Sequence, residues 1–276
     1  MVIRVLVSRH SAFYSPLIAT LAAGFLKREG FDATYGVLPA GTASRDLIRT
    51  GAVDVVQSAV SSNFAALHKG ETDLPVHFAQ INCRDGFFLV ARSGDSLEWN
   101  ELHGRTLLAD HAPQPLAMLK FAANHNNARW DSIRVIDRGA PDSMAEAFRA
   151  GEGDFVHLQS PAAHQLQHEG VGRVVLSVGA SMPPVAFSSL AASPEFVAGE
   201  TGRIFLRAYA AARQWVRETP PSEVARAEAG YFPDVAMEAL TNAIAAYQNL
   251  GCWDGGTEIS RELYDQALRV FGQPSF

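Results

Sequence analysis

The sequence has very little cysteine, no excess of basic charge and no long apolar run. Its 276 residues include only Cys83 and Cys252, too few for a disulfide framework or a four-cysteine metal site. Lys and Arg total 23 and Asp and Glu total 29, so the net charge of −6 predicts no nucleic-acid partner. No stretch approaches the ~20 consecutive apolar residues of a membrane-spanning helix, so we expect no such helix.

Several motifs of well-known enzyme classes are also missing. The sequence has no Gly-x-Gly-x-x-Gly, no phosphate-binding loop with Gly-Lys-Ser/Thr and no Gly-x-Ser-x-Gly. A dinucleotide enzyme, a P-loop NTPase and an α/β-hydrolase are therefore disfavoured, and we expect no cofactor. His164 and His168 lie four residues apart, but the metalloprotease glutamate is absent between them, so a solvated helix face is favoured over a metal site.

The first residues read as a β-strand and not as an export signal. Five apolar residues in positions 2–7 are interrupted by Arg4, and a polar turn follows directly. Two locations remain open on this basis. The protein is periplasmic if Met1 replaces a native signal, and cytoplasmic otherwise.

The composition is that of a globular protein, with 47% hydrophobic and 19% charged residues. The length suits one large unit or two lobes of about 100–150 residues. Strand and helix patterns alternate from residue 2 to residue 191, which predicts α/β architecture with mostly parallel sheets. Beyond Pro194 the patterns predict only helices, over residues 201–218, 222–229, 233–250 and 257–271.

Two similar segments lie 100 positions apart. Gly51 and Asp54 precede two valines, and Gly151 and Asp154 precede Phe-Val. In both, a glycine after a helix starts a short turn into a buried strand. Such turns are common in α/β proteins, so coincidence is the alternative. The similarity favours two like lobes with a ligand cleft between them.

Residues 10–70 resemble the substrate-binding proteins of nitrate, sulfonate and taurine ABC transporters. The matching pieces are residues 10–16, the segment 23–32, a Gly-Thr loop and residues 47–54. This family includes the pyrimidine-precursor synthases of thiamine biosynthesis, but their cysteine-rich cluster has no counterpart here. The resemblance implies a two-lobed type II periplasmic-binding-protein fold with a helical C-terminal segment.

In that fold the chain crosses twice between the lobes. We place the crossings near residues 88–96 and 185–192. Lobe one is then predicted as residues 1–90 plus 188–276, and lobe two as residues 91–187. Ligand closes such lobes by binding the closed state better than the open one.

The resemblance implies a solute-binding protein of an ABC importer. The helix N-termini and Arg84 favour a small anionic ligand, and Phe13, Tyr14, Phe87 and Phe88 favour a planar aromatic one. An ABC permease is the expected membrane partner, and a monomer or weak dimer is the expected state. The alternative is a cytoplasmic enzyme on the same fold, a lyase, decarboxylase or desulfinase acting on a small organic acid. Its candidates for catalysis are His10, Cys83, Asp110 and His111. The binder is the preferred interpretation, and turnover is left open.

In lobe one, the candidate ligand-binding residues follow predicted strands, where parallel sheets open towards a cleft. Aromatic rings after the first strand suit a planar ligand, and a helix start after a Gly-Thr loop suits an anion. The alternatives are core packing and an ordinary helix cap. The residues are His10, Phe13, Tyr14, Gly41, Thr42, Ser58 and Ala59.

The remaining candidates lie at the end of another strand and in lobe two. Arg84 could pair with a sulfonate or carboxylate, and Cys83 is expected to be inert unless its neighbours lower its pKa. The corresponding ends of lobe-two strands would form the opposite wall of the cleft. The residues are Asn82, Cys83, Arg84, Asp110, His111 and Gln159.

Overall fold

The computed structural model describes residues 2–39 and 41–271 and contains two five-stranded mixed sheets. The first sheet has the order β2-β1-β3-β10-β4. Its strands are β1 (Val2–Val7), β2 (Asp32–Val37), β3 (Val55–Ser58), β4 (Val76–Asn82) and β10 (Ser188–Ala192). β10 runs antiparallel to β3 and β4, whereas β1 is parallel to β2 and β3.

The second sheet repeats this plan with the order β7-β6-β8-β5-β9. Its strands are β5 (Phe87–Ala91), β6 (Thr106–Leu108), β7 (Arg134–Ile136), β8 (Phe155–Gln159) and β9 (Arg173–Ser177). β6 is parallel to β7 and β8, and β5 is antiparallel to its neighbours. The predicted two-lobed α/β fold is confirmed.

Helices connect the parallel strands of both lobes and form the C-terminal segment. The first lobe carries α1 (Ser15–Ala22), α2 (Phe25–Arg28), α3 (Ser44–Arg49) and α4 (Phe64–His68). The second carries α5 (Pro113–His125), α6 (Pro141–Arg149) and α7 (Ala162–His168). The C-terminal helices are α8 (Pro194–Ala198), α9 (Glu200–Glu218), α10 (Pro221–Glu228), α11 (Met237–Leu250) and α12 (Arg261–Phe271). No helix within residues 2–39 and 41–271 is long and apolar enough to cross a bilayer.

The repeated Gly-x-x-Asp segments occupy equivalent places in the two lobes. The Asp54 carboxylate accepts the backbone N–H of Arg4 at 2.7 Å, and the Asp54 N–H donates to the Arg4 carbonyl at 3.0 Å. Asp154 makes the same two bonds with Thr106, at 2.7 and 2.8 Å. Asp54 thus holds the turn before β3 against β1, and Asp154 holds the turn before β8 against β6.

The chain passes between the sheets earlier than expected on its first crossing. It leaves the first sheet after Asn82 and enters the second at Phe87, so the predicted limit at residue 90 falls within β5. It returns between Ser177 and Ser188. Both crossings are close-packed, because a Cβ on Gly179 would meet the Asp85 carbonyl and one on Gly86 would meet the Phe13 ring.

The C-terminal segment is helical as predicted, but two helices begin later. α11 begins at Met237 instead of residue 233, and α12 begins at Arg261 instead of residue 257. The delay of α12 has a clear cause, since the Thr257 carbonyl accepts the N–H of Gln80 in β4 at 2.7 Å. That bond holds this segment against the edge of the first sheet.

Candidate functional site

An ion pair joins the two lobes at equivalent positions. Arg9 lies two residues after β1, and Asp110 lies two residues after β6. The Arg9 guanidinium donates from Nη2 to the Asp110 carboxylate. Asp110 also accepts the N–H of Ala112 at 2.7 Å, which fixes the carboxylate at the start of α5. This bridge lies between two cavities in the interlobe cleft, and Arg9 lines both.

The first cavity, which we name the serine-rich cavity, has a volume of about 500 Å³. Both lobes contribute to it through the ends of β1, β3 and β8 and the start of α5. Its lining residues are Ser8, Arg9, Tyr14, Gln57, Ser58, Ala59, Ser61, Ser62, Phe87, Ala112, Pro113, Gln114, Pro115, Ala117, Gln159, Phe187 and Phe271. Arg9 is the one charged side chain among these described residues.

Buried hydrogen bonds hold the polar wall of this cavity in place. The Gln57 Oε1 accepts both the N–H and the hydroxyl of Ser8, at 3.0 and 2.6 Å. The Gln57 Nε2 donates to the Ser58 carbonyl at 3.2 Å. Gln57 is only 3% exposed, so its amide joins the ends of β1 and β3 and orients Ser8 and Ser58.

A second series of polar side chains in contact with one another extends from the cavity into the first sheet. The Ser58 hydroxyl donates to Ser62 at 3.2 Å, and the Ser62 hydroxyl lies 3.4 Å from His77 Nε2. His77 Nδ1 lies 2.8 Å from the Ser189 hydroxyl. Burial lowers the pKa of His77 to about 4, so its imidazole is neutral at pH 7 and adds no positive charge to the cavity wall.

Tyr14 brings a neutral phenol to the same wall. Burial raises the pKa of its hydroxyl, while the charge of Arg9 and hydrogen bonding with Ser188, Gln159 and Ser8 act in the opposite direction. The side chain is 3% exposed. The hydroxyl therefore stays protonated at neutral pH and is available as both donor and acceptor.

The start of α5 has few free backbone N–H groups that could bind an anion. Helix N-termini bind anions through free backbone N–H groups. Here Pro113 and Pro115 have none, and the N–H of Ala112 is taken by Asp110. The Arg9 charge is balanced by Asp110 as well. The serine-rich cavity therefore suits an uncharged polar ligand better than a free oxyanion.

Aromatic rings give the cavity a planar surface. Phe87 and Phe187 line it together with Tyr14. Behind the cavity the Phe87 ring stacks on His157, with centroids 4.3 Å apart and planes inclined by 17°. Burial lowers the pKa of His157 to about 3, so this ring is neutral. The stack holds Phe87 in position to pack against a flat ligand.

The second cavity, on the other side of Arg9, has a volume of about 450 Å³. We name it the carboxylate-rimmed cavity because three of its lining residues are acidic. It is lined by Arg9, His10, Ser11, Pro141, Asp142, Ala145, Glu146, Arg149, Gln159, Ser160, Pro161, Ala162, Gln165, Tyr231, Phe232, Pro233, Asp234 and Val235. The two cavities share Arg9 and Gln159.

The structure brings six of the predicted site residues to the cleft. Tyr14, Ser58, Ala59 and Gln159 line the serine-rich cavity, and Asp110 holds Arg9 beside it. His10 instead lines the carboxylate-rimmed cavity, where it stacks on Phe232 with centroids 4.4 Å apart. Its two ring nitrogens lie 2.8 Å from the Tyr35 hydroxyl and from the Tyr231 carbonyl.

Some other predicted site residues lie outside both cavities. Phe13 is fully buried below Gly86 and packs on Tyr14, Phe187 and Tyr247. Gly41 and Thr42 form a turn that precedes α3, since that helix starts only at Ser44. His111 is exposed and lies 3.5 Å from the Asp137 carboxylate.

The crossing between β4 and β5 holds the other three. The Asn82 amide donates to the Phe13 carbonyl at 2.7 Å, and Arg84 donates to the Gly179 carbonyl at 3.3 Å. The Cys83 thiol donates to the Gly251 carbonyl at 3.2 Å, and burial raises its pKa. These bonds connect the end of β4 and the crossing after it to Phe13, to the second crossing and to the end of α11, and the three residues line neither cavity.

Sequence reasoning missed several residues that line the serine-rich cavity. Ser8 and Arg9 precede His10 at the end of β1, and Gln57 precedes Ser58 in β3. A buried glutamine in an otherwise apolar strand was an available signal. Residues 231–235 of the other cavity were not identified, because the sequence pattern assigned residues 233–235 to a helix that begins only at Met237.

The groups proposed for catalysis in the enzyme alternative are not assembled in one place. His10 lines one cavity, Asp110 is paired with Arg9, His111 is exposed beside Asp137, and Cys83 is part of the crossing. A nucleophile and its base must lie within hydrogen-bond reach of each other. No two of these four candidates share such a contact within residues 2–39 and 41–271.

Comparison with known proteins places the chain in a family. The family profile described as "NMT1/THI5 like" matches residues 12–223, which is more than half of the chain. The chain therefore belongs to the NMT1/THI5-like family, in agreement with the resemblance seen in the sequence. The Bacillus subtilis (strain 168) protein YtlA, which is named as a binding protein, is 26% identical over 244 residues, covering 87% of this chain and 73% of YtlA.

Two solved structures illustrate the fold. The periplasmic aliphatic sulphonate binding protein SsuA of Escherichia coli superposes with a TM-score of 0.72 at 14% identity, covering 98% of this chain and 90% of SsuA. The periplasmic nitrate-binding protein NrtA of Synechocystis PCC 6803 superposes with a TM-score of 0.66 at 14% identity, covering 95% and 74% of the two chains. At these identities the likeness shows a shared fold.

Proposed function

We propose that this protein is the solute-binding component of an ABC importer, and that it binds one small, planar, uncharged solute in the serine-rich cavity. The observation that carries the proposal is a cavity of about 500 Å³ whose walls come from both lobes. Membership of the NMT1/THI5-like family and the fold shared with SsuA and NrtA support the transport role.

The solute class follows from the groups in the wall. Ser8, Ser58 and Gln57 combine donors and acceptors without charge, and Phe87 and Phe187 offer flat apolar surface. Arg9 is held by Asp110, but a guanidinium has five N–H donors, so the others remain for a ligand carbonyl or ring nitrogen. A heteroaromatic ring with amide or carbonyl substituents satisfies this set.

Closure of the lobes is the expected binding event. Contacts that cross the cleft include Arg9 with Asp110, the Ser11 hydroxyl to the Ser160 carbonyl at 2.7 Å, and the Gln114 amide to the Phe187 carbonyl at 2.9 Å. A solute that touches both walls adds to these contacts only in the closed state, and so shifts the population towards it. The closed form is then the one that a permease recognises.

The transport role implies a permease partner and a working position outside the cytoplasmic membrane. Both are part of the proposal, as is action as a monomer or weak dimer. Fractionation of the native host tests the position, and co-purification with a permease tests the partner. Sedimentation of the purified chain with and without solute tests the oligomeric state.

The ligand class is tested by calorimetric titration of the full chain with three matched groups of compounds. These are uncharged heteroaromatic amides, aromatic sulfonates of similar size, and nitrate. We expect saturable 1:1 binding within the first group and at least tenfold weaker binding of the others. Tight binding of a sulfonate or nitrate instead would overturn the ligand class, and turnover of a bound compound would overturn the pure binding role.

A further inference from the structure

The carboxylate-rimmed cavity differs from the serine-rich cavity in the charge of its walls. Asp142, Ala145, Glu146 and Arg149 line it from α6, and this i, i+3, i+4, i+7 spacing places one face of the helix along the cavity. Asp234 lines it from the opposite side, in the connection that precedes α11. Carboxylates therefore stand on both sides of the cavity.

The cations of this cavity are already paired. Arg149 donates to both carboxylate oxygens of Glu169, at 2.7 and 2.9 Å, and Arg9 is held by Asp110. Asp142, Glu146 and Asp234 take part in no ion pair or side-chain hydrogen bond in the part of the chain that the structure describes. The charge of Arg149 also acts on Asp142 and Glu146, so these two carboxylates and Glu169 share one guanidinium, and the cavity walls keep a net negative charge.

A buried acceptor adds to the polar groups of the wall that both cavities share. Gln159, on the wall shared by both cavities, is 7% exposed, and its Oε1 has no hydrogen-bond partner among residues 2–39 and 41–271. A buried acceptor without a partner costs about 1–3 kcal/mol, so a donor arriving in the cavity gains by meeting it. His10 has both ring nitrogens engaged and offers a ligand little hydrogen-bonding capacity.

Aromatic rings complete the cavity. Tyr231 and Phe232 line it next to Asp234. The Tyr231 ring is fixed edge-on to Tyr35, with centroids 5.2 Å apart, and Phe232 is fixed by its stack on His10. Aromatic faces attract ammonium groups, and they also pack against the apolar body of a ligand.

We propose that the carboxylate-rimmed cavity is a second ligand site, which takes a small organic cation with a primary ammonium group next to an aromatic or apolar body. The ammonium group donates to the carboxylates of Glu146, Asp142 and Asp234, and the body packs on Tyr231 and Phe232. Its volume of about 450 Å³ lies in the range of small-molecule sites.

The test uses three probes that share one ring and differ in charge. Benzylamine, benzyl alcohol and benzoate are titrated into the full chain at neutral pH and moderate salt, by ligand-observed NMR and calorimetry. We expect benzylamine to bind at least tenfold more tightly than benzyl alcohol, and benzoate not to bind. Equal binding of benzylamine and benzyl alcohol, or binding of benzoate alone, would contradict the proposal.

Matched variants locate the ammonium group. The double variant Glu146→Gln/Asp234→Asn should weaken benzylamine binding at least tenfold, whereas Glu218→Gln on α9, which removes one exposed charge outside the cavity lining, should change it less than twofold. An equal loss in both proteins would indicate general charge attraction, and the proposal would be wrong. Loss of benzylamine binding in Ser58→Leu would place the amine in the serine-rich cavity and overturn it too.

The two proposals fail separately. If no solute binds in the serine-rich cavity but benzylamine binds through Glu146 and Asp234, only the proposed transport solute is refuted. Capture of an uncharged solute with no preference for benzylamine over benzyl alcohol refutes only the second site. Circular dichroism and thermal unfolding of each variant verify that the fold is retained.

Discussion

The two cavities beside Arg9 share a wall but differ in what their polar groups do for the protein. In the serine-rich cavity the polar groups are bonded to one another, as Gln57 is to Ser8, and Ser58 to Ser62. In the carboxylate-rimmed cavity Asp142, Glu146 and Asp234 have no such partners among the described residues. The first set stabilises the fold and is proposed to bind the solute, whereas the second set makes no such contacts and is proposed to bind a ligand alone.

This difference separates structural from binding contributions in a way that mutations can measure. Changes in the serine-rich cavity should cost stability and solute affinity together. Changes to the acidic side chains of the other cavity should alter binding with little effect on stability. Changes at the crossing or at the bridge should affect both cavities.

The largest effect is expected at the crossing between the lobes. In Gly179→Ala the new Cβ meets the backbone carbonyl of Asp85, which cannot rotate away, and Asp85 in turn accepts the Phe87 N–H at 2.7 Å. We expect a loss of about 2–3 kcal/mol in the free energy of unfolding, measured in urea. Gly230→Ala is the control, because nothing lies within 4 Å of its Cβ position and the change should cost under about 0.5 kcal/mol. Equal losses would contradict the close packing of the crossing.

Breaking the bridge should come next. Arg9→Met leaves the Asp110 carboxylate, which is 13% exposed, without its guanidinium, and we expect a loss of about 2 kcal/mol. The double variant Arg9→Met/Asp110→Leu should recover part of that loss, because no charge is left unpaired. Small-angle scattering should show a larger radius of gyration for Arg9→Met. A double variant no more stable than Arg9→Met would contradict an interaction between the two groups.

Gln57 and Glu146 allow a direct comparison of the two cavities. Gln57→Met removes the acceptor of two Ser8 donors and should cost about 1–2 kcal/mol of unfolding free energy. Glu146→Gln, the matched change in the other cavity, should stay within about 0.5 kcal/mol of the parent protein. A large loss for Glu146→Gln would remove the distinction between the cavities.

The smallest effect concerns pH and the ring behind Phe87. The pKa of His157 is lowered to about 3 in the folded state, whereas the unfolded chain takes up a proton near pH 6.5. Stability therefore falls as the pH falls below about 6.5. His157→Phe keeps a ring for the stack and removes this proton uptake. Between pH 7 and pH 5.5 the free energy of unfolding of the variant should fall by about 1 kcal/mol less than that of the parent. Urea unfolding at each pH measures this difference.

The opposite result for His157→Phe, a loss as large as in the parent, would mean that the imidazole is charged in the fold. Burial also lowers the pKa values of His77 and His164 to about 4. These two residues therefore reduce stability as the pH falls, in the parent and in the variant alike. Asp85, whose pKa is raised to about 7 by burial, acts in the opposite direction in both. These contributions cancel in the difference.

The two-lobed fold could be predicted from the sequence because its signals are local. A motif of four consecutive residues specifies each of two equivalent turns. One turn brings Asp54 to Arg4, and the other brings Asp154 to Thr106. The first crossing was placed too late, since β4 and β5 are both apolar and an apolar pattern does not show to which sheet a strand belongs. The later start of α12 depends on a bond to Gln80, which is distant in sequence.

The site was predictable only where it depends on strand ends. Tyr14, Ser58, Ala59 and Gln159 were identified by that rule, and they line the serine-rich cavity. Arg9 was missed because its partner lies 101 residues away in sequence, and an isolated arginine after a strand is usually solvated. The expectation of an anionic ligand rested on helix starts and on Arg84. Arg84 donates to the Gly179 carbonyl and lines neither cavity, and the predicted helix start at Gly41 and Thr42 also lies outside both cavities.

Native mass spectrometry of the purified full chain tests the central claim most directly. The protein and a Ser58→Leu variant, whose added side chain fills part of the serine-rich cavity, are prepared identically without denaturation. We expect the parent protein to carry the added mass of one small uncharged solute, and the variant to carry none. No added mass on the parent, or the same mass on both proteins, would contradict binding of a solute in the serine-rich cavity.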